Sequence, residues 1–107
     1  MRFDALELAI QLIRHIRPLV ERLRTRNADA ARQIRRAADS VPNNLAEGRK
    51  RSGQDRIHLW RVAAGSAEEV RTALRVAVAW GDLSEADARE ALQILDRLAA
   101  ICWRLTH

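Results

Sequence analysis

The sequence predicts an all-α protein, an antiparallel up-and-down four-helix bundle in which residues 1–107 form a single domain. Apolar residues recur at three- and four-residue spacing in four segments, which is the spacing of one buried helix face. Capping residues and glycines separate these segments, and only four Gly and two Pro interrupt the chain. The predicted connections are about four to six residues long, which places consecutive helices antiparallel.

The first predicted helix runs from about residue 4 to residue 24 and contains Pro18. A proline inside a helix removes one backbone hydrogen bond and can kink the helix. Pro18 lies on the charged flank of this segment, so we expect the interruption to face solvent. The apolar residues that form the predicted core face are Leu6, Ala9, Ile10, Ile13, Ile16, Val20 and Leu23.

The second predicted helix begins near Asn27 or Asp29, either of which can cap its N-terminus. We expect it to end at Gly48, with the glycine in the left-handed conformation that closes many helices. Pro42 should bend the last turns. Alanines on the inner face indicate close packing against a neighbouring helix.

Two capping boxes predict the starts of the third and fourth helices. Ser52 and Ser84 each precede an Asp by three residues, and a serine hydroxyl at this position can accept a hydrogen bond from a first-turn N–H. The third helix then runs to Trp80 and stops at Gly81, and the fourth runs to about Leu105.

The composition indicates a cytoplasmic protein without catalytic or cofactor chemistry. No run approaches the roughly 20 apolar residues of a membrane span, no secretory h-region follows the first residue, and the single Cys102 has no partner for an internal disulfide. Cys102 falls on the apolar seam of the fourth helix, where an inert core thiol is expected. We find no nucleotide-binding glycine loop, no metal-ligand spacing among the three histidines and no Glu-x-x-His pair. We therefore predict no enzyme activity, no cofactor and no metal site.

The positive charge is concentrated in the first half of the chain. Residues 1–60 carry 13 Lys or Arg against 7 Asp or Glu, whereas residues 61–107 carry 6 against 7, giving a net charge of +5 overall. Eighteen of the nineteen cations are Arg, whose guanidinium makes bidentate contacts to phosphate. Two interpretations stay open: a polyanion-binding surface, or an Arg-rich surface of the kind that GC-rich genomes encode.

The apolar faces predict self-association. In a helical projection the apolar arc of the first helix, from Leu8 and Leu19 to Ile10, is roughly 200° wide, against about 100° for a helix in a monomeric bundle. Ile94 and Ile101 widen the apolar face of the fourth helix in the same way, and residues 73–80 are apolar on nearly every side of the third helix. We expect one bundle to leave part of this surface uncovered. The alternative is a monomer in which Arg stems cover the excess.

Residues 33–48 and 63–70 resemble a bacterial family of four-helix bundle proteins first known from intervening sequences in large-subunit rRNA genes. The resemblance lies in the run Gln33-Ile-Arg-Arg-Ala-Ala-Asp-Ser-Val-Pro-Asn-Asn-Leu-Ala-Glu-Gly48, followed by Ala63-Ala-Gly-Ser66 and Glu69-Val70. The family also contains the accessory protein of diversity-generating retroelements. The resemblance implies a homo-oligomeric ring of five bundles with basic outer surfaces suited to nucleic acid. Leu59-Trp60 departs from the usual Phe-Leu pair.

The polar and small residues of this motif are interpreted as structural. Gly48 should end the second helix, and Asn44 and Glu47 should bind backbone freed by Pro42 or pair with a neighbouring Arg. Two further residues, Gly65 and Ser66, should let a facing helix approach closely. A ligand site made by the same polar cluster is the alternative.

The leading functional hypothesis is a non-catalytic, homo-oligomeric nucleic-acid-binding protein that contacts phosphates. We expect the three successive cations of the second connection to lie next to those of the second helix and to follow a phosphate backbone. Aromatic residues are too few for a base-stacking platform, and we expect the three Trp to lie mostly on apolar faces, so binding should depend on phosphate contacts. The alternative function is a protein-interaction scaffold or accessory subunit that docks a partner such as a reverse transcriptase. The candidate contacts are Arg32, Arg35, Arg36, Arg49, Lys50, Arg51 and Arg56.

Overall fold

Four α-helices form the protein, and the computed structural model describes residues 3–107. The helices are α1 (Asp4–Arg26), α2 (Ala28–Arg49), α3 (Gly53–Ala79) and α4 (Glu85–Thr106). The predicted number and order of helices are confirmed. The boundaries differ from the predicted ones by one or two residues, except that α2 begins directly after Asn27 with no longer loop before it.

The helices form an up-and-down bundle in which each helix packs on two neighbours. The packed pairs are α1 with α2, α2 with α3, α3 with α4 and α1 with α4. Ser40 meets Ser66 and Leu45 meets Trp60, so α2 and α3 run in opposite directions. All four helices contribute to one hydrophobic core inside a body of 42 × 22 × 22 Å.

The core covers one edge of the wide apolar arc of α1 and leaves the other edge partly open. Leu8 and Leu19 are at most 5% exposed, whereas Ile10 is 36% exposed. Ile94, which widens the apolar face of α4, is also buried. The exposed large apolar residues are Ile10, Val62, Val76, Trp80 and Trp103.

The helix ends show which capping predictions hold. Asn27 accepts a hydrogen bond from the Ala30 N–H at 3.1 Å, and the Ser84 hydroxyl accepts one from the Asp87 N–H at 3.0 Å. Ser52 occupies the N-cap position but makes no side-chain capping bond. The reason lies in the next residue, since Gly53 has φ +58°, far from the helical value that aims first-turn N–H groups at the cap.

The α3 C-terminus ends at Gly81 as predicted. Gly81 has φ +80°, its N–H donates to the Val78 carbonyl at 3.0 Å, and the Asp82 N–H donates to the Ala77 carbonyl at 2.9 Å. These two bonds are the Schellman pattern. They satisfy carbonyls that would otherwise lack partners, and buried Leu83 packs behind them.

Gly48 does not end α2, contrary to the prediction. It lies inside the helix and is buried, and the helix continues to Arg49 with Lys50 as its C-cap in the right-handed conformation. A Cβ at Gly48 would lie 2.7 Å from Cδ1 and Nε1 of Trp60. The glycine is therefore required by the close approach of the Trp60 ring and not by the backbone conformation.

The prediction for Gly65 is also wrong, whereas that for Ser66 is confirmed. A Cβ at Gly65 would meet nothing within 4 Å, because the residue is exposed on the outer side of α3. The Ser66 and Ser40 hydroxyls, in contrast, hydrogen-bond to each other at 2.7 Å across the α2–α3 contact. Small side chains at these two serines thus let the helices approach.

Asn44 and Glu47 each have a partner about one helical turn away in the chain. The Asn44 amide donates to the carbonyl and hydroxyl oxygens of Ser40 at 2.9 and 3.0 Å. Glu47 pairs with Arg51 at 3.2 Å. Pro42 is half-buried and Pro18 is exposed, and α1 and α2 both continue past their prolines.

The remaining findings concern Cys102 and the membrane. Cys102 is buried on the seam of α4, as predicted, and burial raises the pKa of its thiol. Within residues 3–107, no helix has the length and apolar character needed to cross a membrane.

Candidate nucleic-acid interface

The predicted contact residues fall into two groups at opposite ends of α2. Arg32, Arg35 and Arg36 lie near its N-terminus, and Arg49 is its last residue. With a rise of 1.5 Å per residue, Arg36 and Arg49 are about 20 Å apart along the helix axis. The expectation that the connecting cations lie next to the α2 arginines is therefore wrong, since an intact helix of three further turns separates them.

The first group is partly neutralised by acidic residues. Arg32 pairs with Asp29 one turn earlier, and the Arg36 guanidinium lies 4.0 Å from the Glu69 carboxylate on α3. All of these side chains are more than half exposed, so the pairs contribute little stability and can exchange partners. The surface groove here is lined by three Arg and two Asp: Asp29, Arg32, Gln33, Arg35, Arg36 and Asp39.

The second group lies at one end of the bundle, which we call the basic end. Here α1 and α3 begin and α2 and α4 end. Contacts between the helices define it: Arg61 Nη2 donates to the Thr106 carbonyl at 3.2 Å, and the Phe3 ring lies 5.6 Å from the Trp60 ring. Six Lys or Arg and four Asp or Glu belong to the segments that meet there, residues 3–10, 45–62 and 98–107.

Arg56 holds the connection between α2 and α3 in place. Its Nε donates to the Gly48 carbonyl at 3.1 Å and its Nη2 to the Arg49 carbonyl at 3.0 Å. The guanidinium also lies over the Trp60 ring, 5.3 Å from the centroid. Arg56 thus binds carbonyls at the end of α2, which favours positively charged groups, and its predicted role as a phosphate contact is secondary to this positioning.

The three cations of the connection project from this fixed turn. Arg49 lies over the Phe3 ring, with 5.2 Å from its guanidinium carbon to the centroid, and Arg51 pairs with Glu47. All three residues are exposed. An exposed ion pair such as Arg51 with Glu47 is worth only about 0–1 kcal/mol, so a phosphate can replace the carboxylate at small cost.

Sequence reasoning missed two cations and an aromatic residue at the same end. Arg61 and Arg104 are exposed, and Trp103 is 61% exposed. The prediction that the Trp residues lie mostly on apolar faces is wrong, because only Trp60 is buried while Trp80 is 78% exposed. The available signal was the absence of Asp and Glu from residues 97–107, which also contain Arg97, Arg104 and His107.

A second surface, which we call the α3 groove, is chemically different. It has a volume of about 680 Å³ and lies between α3 and the N-terminus of α2. Val76 and Trp80, one helical turn apart, are 48% and 78% exposed. Among the described residues, its lining includes four acidic residues and no Lys or Arg. The lining residues are Asn27, Asp29, Ala30, Gln33, Gly65, Glu68, Glu69, Thr72, Ala73, Val76, Ala77, Trp80 and Asp82.

The described residues offer no cluster of metal ligands, since within residues 3–107 no three His, Cys, Asp or Glu lie close enough together to hold an ion. The fold and its surfaces thus define a small four-helix bundle with a basic end. The chain belongs to the 23S rRNA-intervening sequence protein family, whose sequence model matches residues 1–104.

A solved structure of the S23 ribosomal protein family shows the same fold. This protein of unknown function from Bacteroides thetaiotaomicron has a TM-score of 0.85 to the chain, with 14% sequence identity, and the match covers 95% of this chain and 97% of that one. No curated protein matches the sequence. The predicted family and four-helix bundle are therefore confirmed.

Proposed function

We propose that this protein is a non-catalytic, homo-oligomeric nucleic-acid-binding protein that contacts phosphates through its basic end. The observation that carries the proposal is the convergence of cations from α2, α3 and α4 at one end of the bundle, around the turn that Arg56 holds in place. Phosphate contacts of this kind release counterions, so binding should weaken steeply with salt and discriminate little between sequences.

Self-association is supported by the α3 groove. Val76 and Trp80 are exposed side by side in this groove, and an apolar patch rimmed by polar residues is typical of a protein-interaction surface. The groove and the basic end occupy different parts of the bundle, so self-association through α3 leaves the cations accessible. Five copies are what the family resemblance implies, and repeated weak contacts from several copies would add through avidity.

The test of phosphate binding is a titration of structured RNA and duplex DNA from about 50 to 200 mM salt. The triple variant Arg49→Ala, Lys50→Ala and Arg51→Ala should weaken binding to every sequence alike and reduce the slope of log K against log salt by about 2 to 3, since each lost phosphate contact removes about 0.9. Affinity that is insensitive to salt, or an absence of binding at 50 mM, would refute the proposal.

The α2 arginines supply a matched control. Replacing Arg32, Arg35 and Arg36 by Ala removes the same charge from the opposite end of α2. We expect a smaller loss, because Asp29, Asp39 and Glu69 lie beside these arginines and balance their charge, whereas the segments at the basic end carry an excess of cations. If this variant lost binding and the triple variant of the connection kept it, the basic end would not be the interface.

A protein-interaction scaffold is the alternative, and the acidic lining of the α3 groove favours it. A basic partner segment, such as one from a reverse transcriptase, would suit that lining. Light scattering distinguishes the two hypotheses for the α3 groove. A mass several times the 12.2 kDa of one chain supports self-association, whereas a 12.2 kDa particle supports a different partner.

A further inference from the structure

We propose that Trp103 stacks on an unpaired base of single-stranded nucleic acid, which makes the basic end a site for single strands. This inference rests on the proposed function and adds the class of ligand to it. Base stacking on an aromatic side chain tolerates any sequence, because every base has a π-face.

The indole of Trp103 is held ready for such a contact. The His107 ring stacks on it with 3.4 Å between the ring centroids and 18° between the planes. The Nδ1 atom of His107 lies 3.1 Å from the Trp103 carbonyl oxygen and 3.1 Å from the Thr106 hydroxyl, which fixes the imidazole over the indole. Trp103 is nevertheless 61% exposed, so most of its surface is open to solvent although His107 lies against it.

The neighbouring side chains leave room for a base. The residues three and four positions earlier on α4 are Ala100 and Ala99, and both are exposed. Side chains at these spacings lie next to each other on a helix surface. Their methyl groups are too short to cover the indole, whereas a Lys, Arg or Glu at either position would lie across it.

The charges around Trp103 favour a phosphate backbone. The Arg61 guanidinium is bound to the Thr106 carbonyl, one turn from Trp103, and Arg104 is the next residue in the chain. The nearest acidic residue earlier on α4 is Asp96, which accepts a hydrogen bond from Arg71 at 3.0 Å. A strand whose base stacks on Trp103 therefore has cations on both sides for its phosphates.

Trp80 is the internal contrast that makes this assignment specific. It is more exposed than Trp103, yet four carboxylates and no cation line its groove within the described residues. Phosphates are repelled there, so Trp80 should not contact nucleic acid. Exposure alone does not select the stacking residue; the sign of the surrounding charge does.

The experiment compares Trp103→Leu with Trp80→Leu in full-length protein. Binding of a 20-nucleotide oligothymidylate and of a duplex of the same length is measured at about 50 mM salt. Because Trp103→Leu loses one stacked base, its affinity for oligothymidylate should be about 5- to 100-fold lower than that of the unmodified protein. Its affinity for the duplex should stay within about twofold. Trp80→Leu should change single-strand and duplex binding by the same factor, because any avidity lost with the α3 groove acts on both ligands alike.

Fluorescence supplies a second readout. Stacking quenches indole emission, so oligothymidylate should quench Trp80→Leu, which retains Trp103, and should leave Trp103→Leu nearly unchanged. Light scattering on both variants reports their assembly, so that avidity lost with the Trp80 contact is separated from stacking lost with Trp103. His107→Ala, which frees the indole to rotate, should weaken single-strand binding by a smaller factor.

Three outcomes would overturn the inference: equal single-strand binding by Trp103→Leu and the unmodified protein, quenching that follows Trp80 instead, or loss of assembly mass in Trp103→Leu. In each case the proposed function stands if the triple variant of Arg49, Lys50 and Arg51 still weakens binding. If the unmodified protein binds no nucleic acid at all, the proposed function itself fails.

Discussion

Substituting Gly48 by Ala tests the tightest contact in the bundle. The added methyl would lie 2.7 Å from Cδ1 and Nε1 of Trp60 and 3.3 Å from Cβ of Leu59. The Trp60 ring has little room to move, because it is only 8% exposed and its Nε1 donates to the Leu45 carbonyl at 3.1 Å. The methyl must therefore displace a buried ring and weaken its hydrogen bond.

Two effects of opposite sign decide the magnitude. Replacing Gly by Ala inside a helix gains about 0.5–1 kcal/mol. Overpacking costs about 1–3 kcal/mol, and loss of the Trp60 hydrogen bond leaves the Leu45 carbonyl unsatisfied at about 1–3 kcal/mol. We expect Gly48→Ala to lower the free energy of unfolding by about 1–5 kcal/mol, since the steric and hydrogen-bond costs exceed the propensity gain.

Gly65→Ala is the matched control, because it makes the same change in a helix where the methyl meets nothing within 4 Å. It should raise the free energy of unfolding by about 0.5–1 kcal/mol. Urea denaturation followed by circular dichroism at one protein concentration measures both, and light scattering checks that assembly is unchanged. If Gly48→Ala were as stable as Gly65→Ala, the close contact with Trp60 would not exist in solution.

Three further outcomes follow from the helix ends and the α3 groove. Trp80→Ala should reduce the particle mass toward 12.2 kDa in light scattering, and an unchanged mass would remove Trp80 from the copy–copy contact. Ser84→Ala should lower the free energy of unfolding by about 1 kcal/mol in urea denaturation, because the Asp87 N–H loses its cap; a change within experimental error would contradict that role. The hydrogen bond from Ser84, followed by the interaction with Arg22, lowers the pKa of Asp87, so the stability that its carboxylate contributes should be present above the ordinary Asp pKa and lost as the pH falls below it. Replacing Asp87 by Asn should flatten that part of a stability-against-pH curve, and an unaltered curve would count against the interaction.

The bundle could be predicted from sequence because its signals are local. Helical periodicity, the Asn27 and Ser84 caps and the Gly81 stop each depend on residues within about one turn of each other. Gly48 shows where that reasoning ends. A glycine near a helix end indicates a left-handed C-cap, but here its role is set by Trp60, which lies twelve positions later and on another helix.

The candidate site could be predicted only in part, for the same reason. Arg49, Lys50 and Arg51 are adjacent in sequence and form one cluster, whereas Arg61, Arg104 and Trp103 join them only because antiparallel helices end together. Sequence proximity also predicted that the α2 arginines lie next to the cations of the connection, although three helical turns separate the two groups. Charge clusters built by the fold need the order and direction of the helices, which periodicity does not supply.

Assembly and binding are linked by symmetry. A cyclic rotation carries each copy into the next without reversing direction along the rotation axis, so bundles aligned with that axis place all their basic ends on one rim. A strand crossing that rim meets several copies of Trp103 in succession, and each added contact becomes intramolecular once the first has formed. Affinity for oligothymidylate should then rise with length until the strand spans the rim. In a two-fold dimer with its axis across the bundles the basic ends point apart, and length should matter only within one site. The length dependence of binding therefore reports how the copies are arranged as well as whether Trp103 stacks.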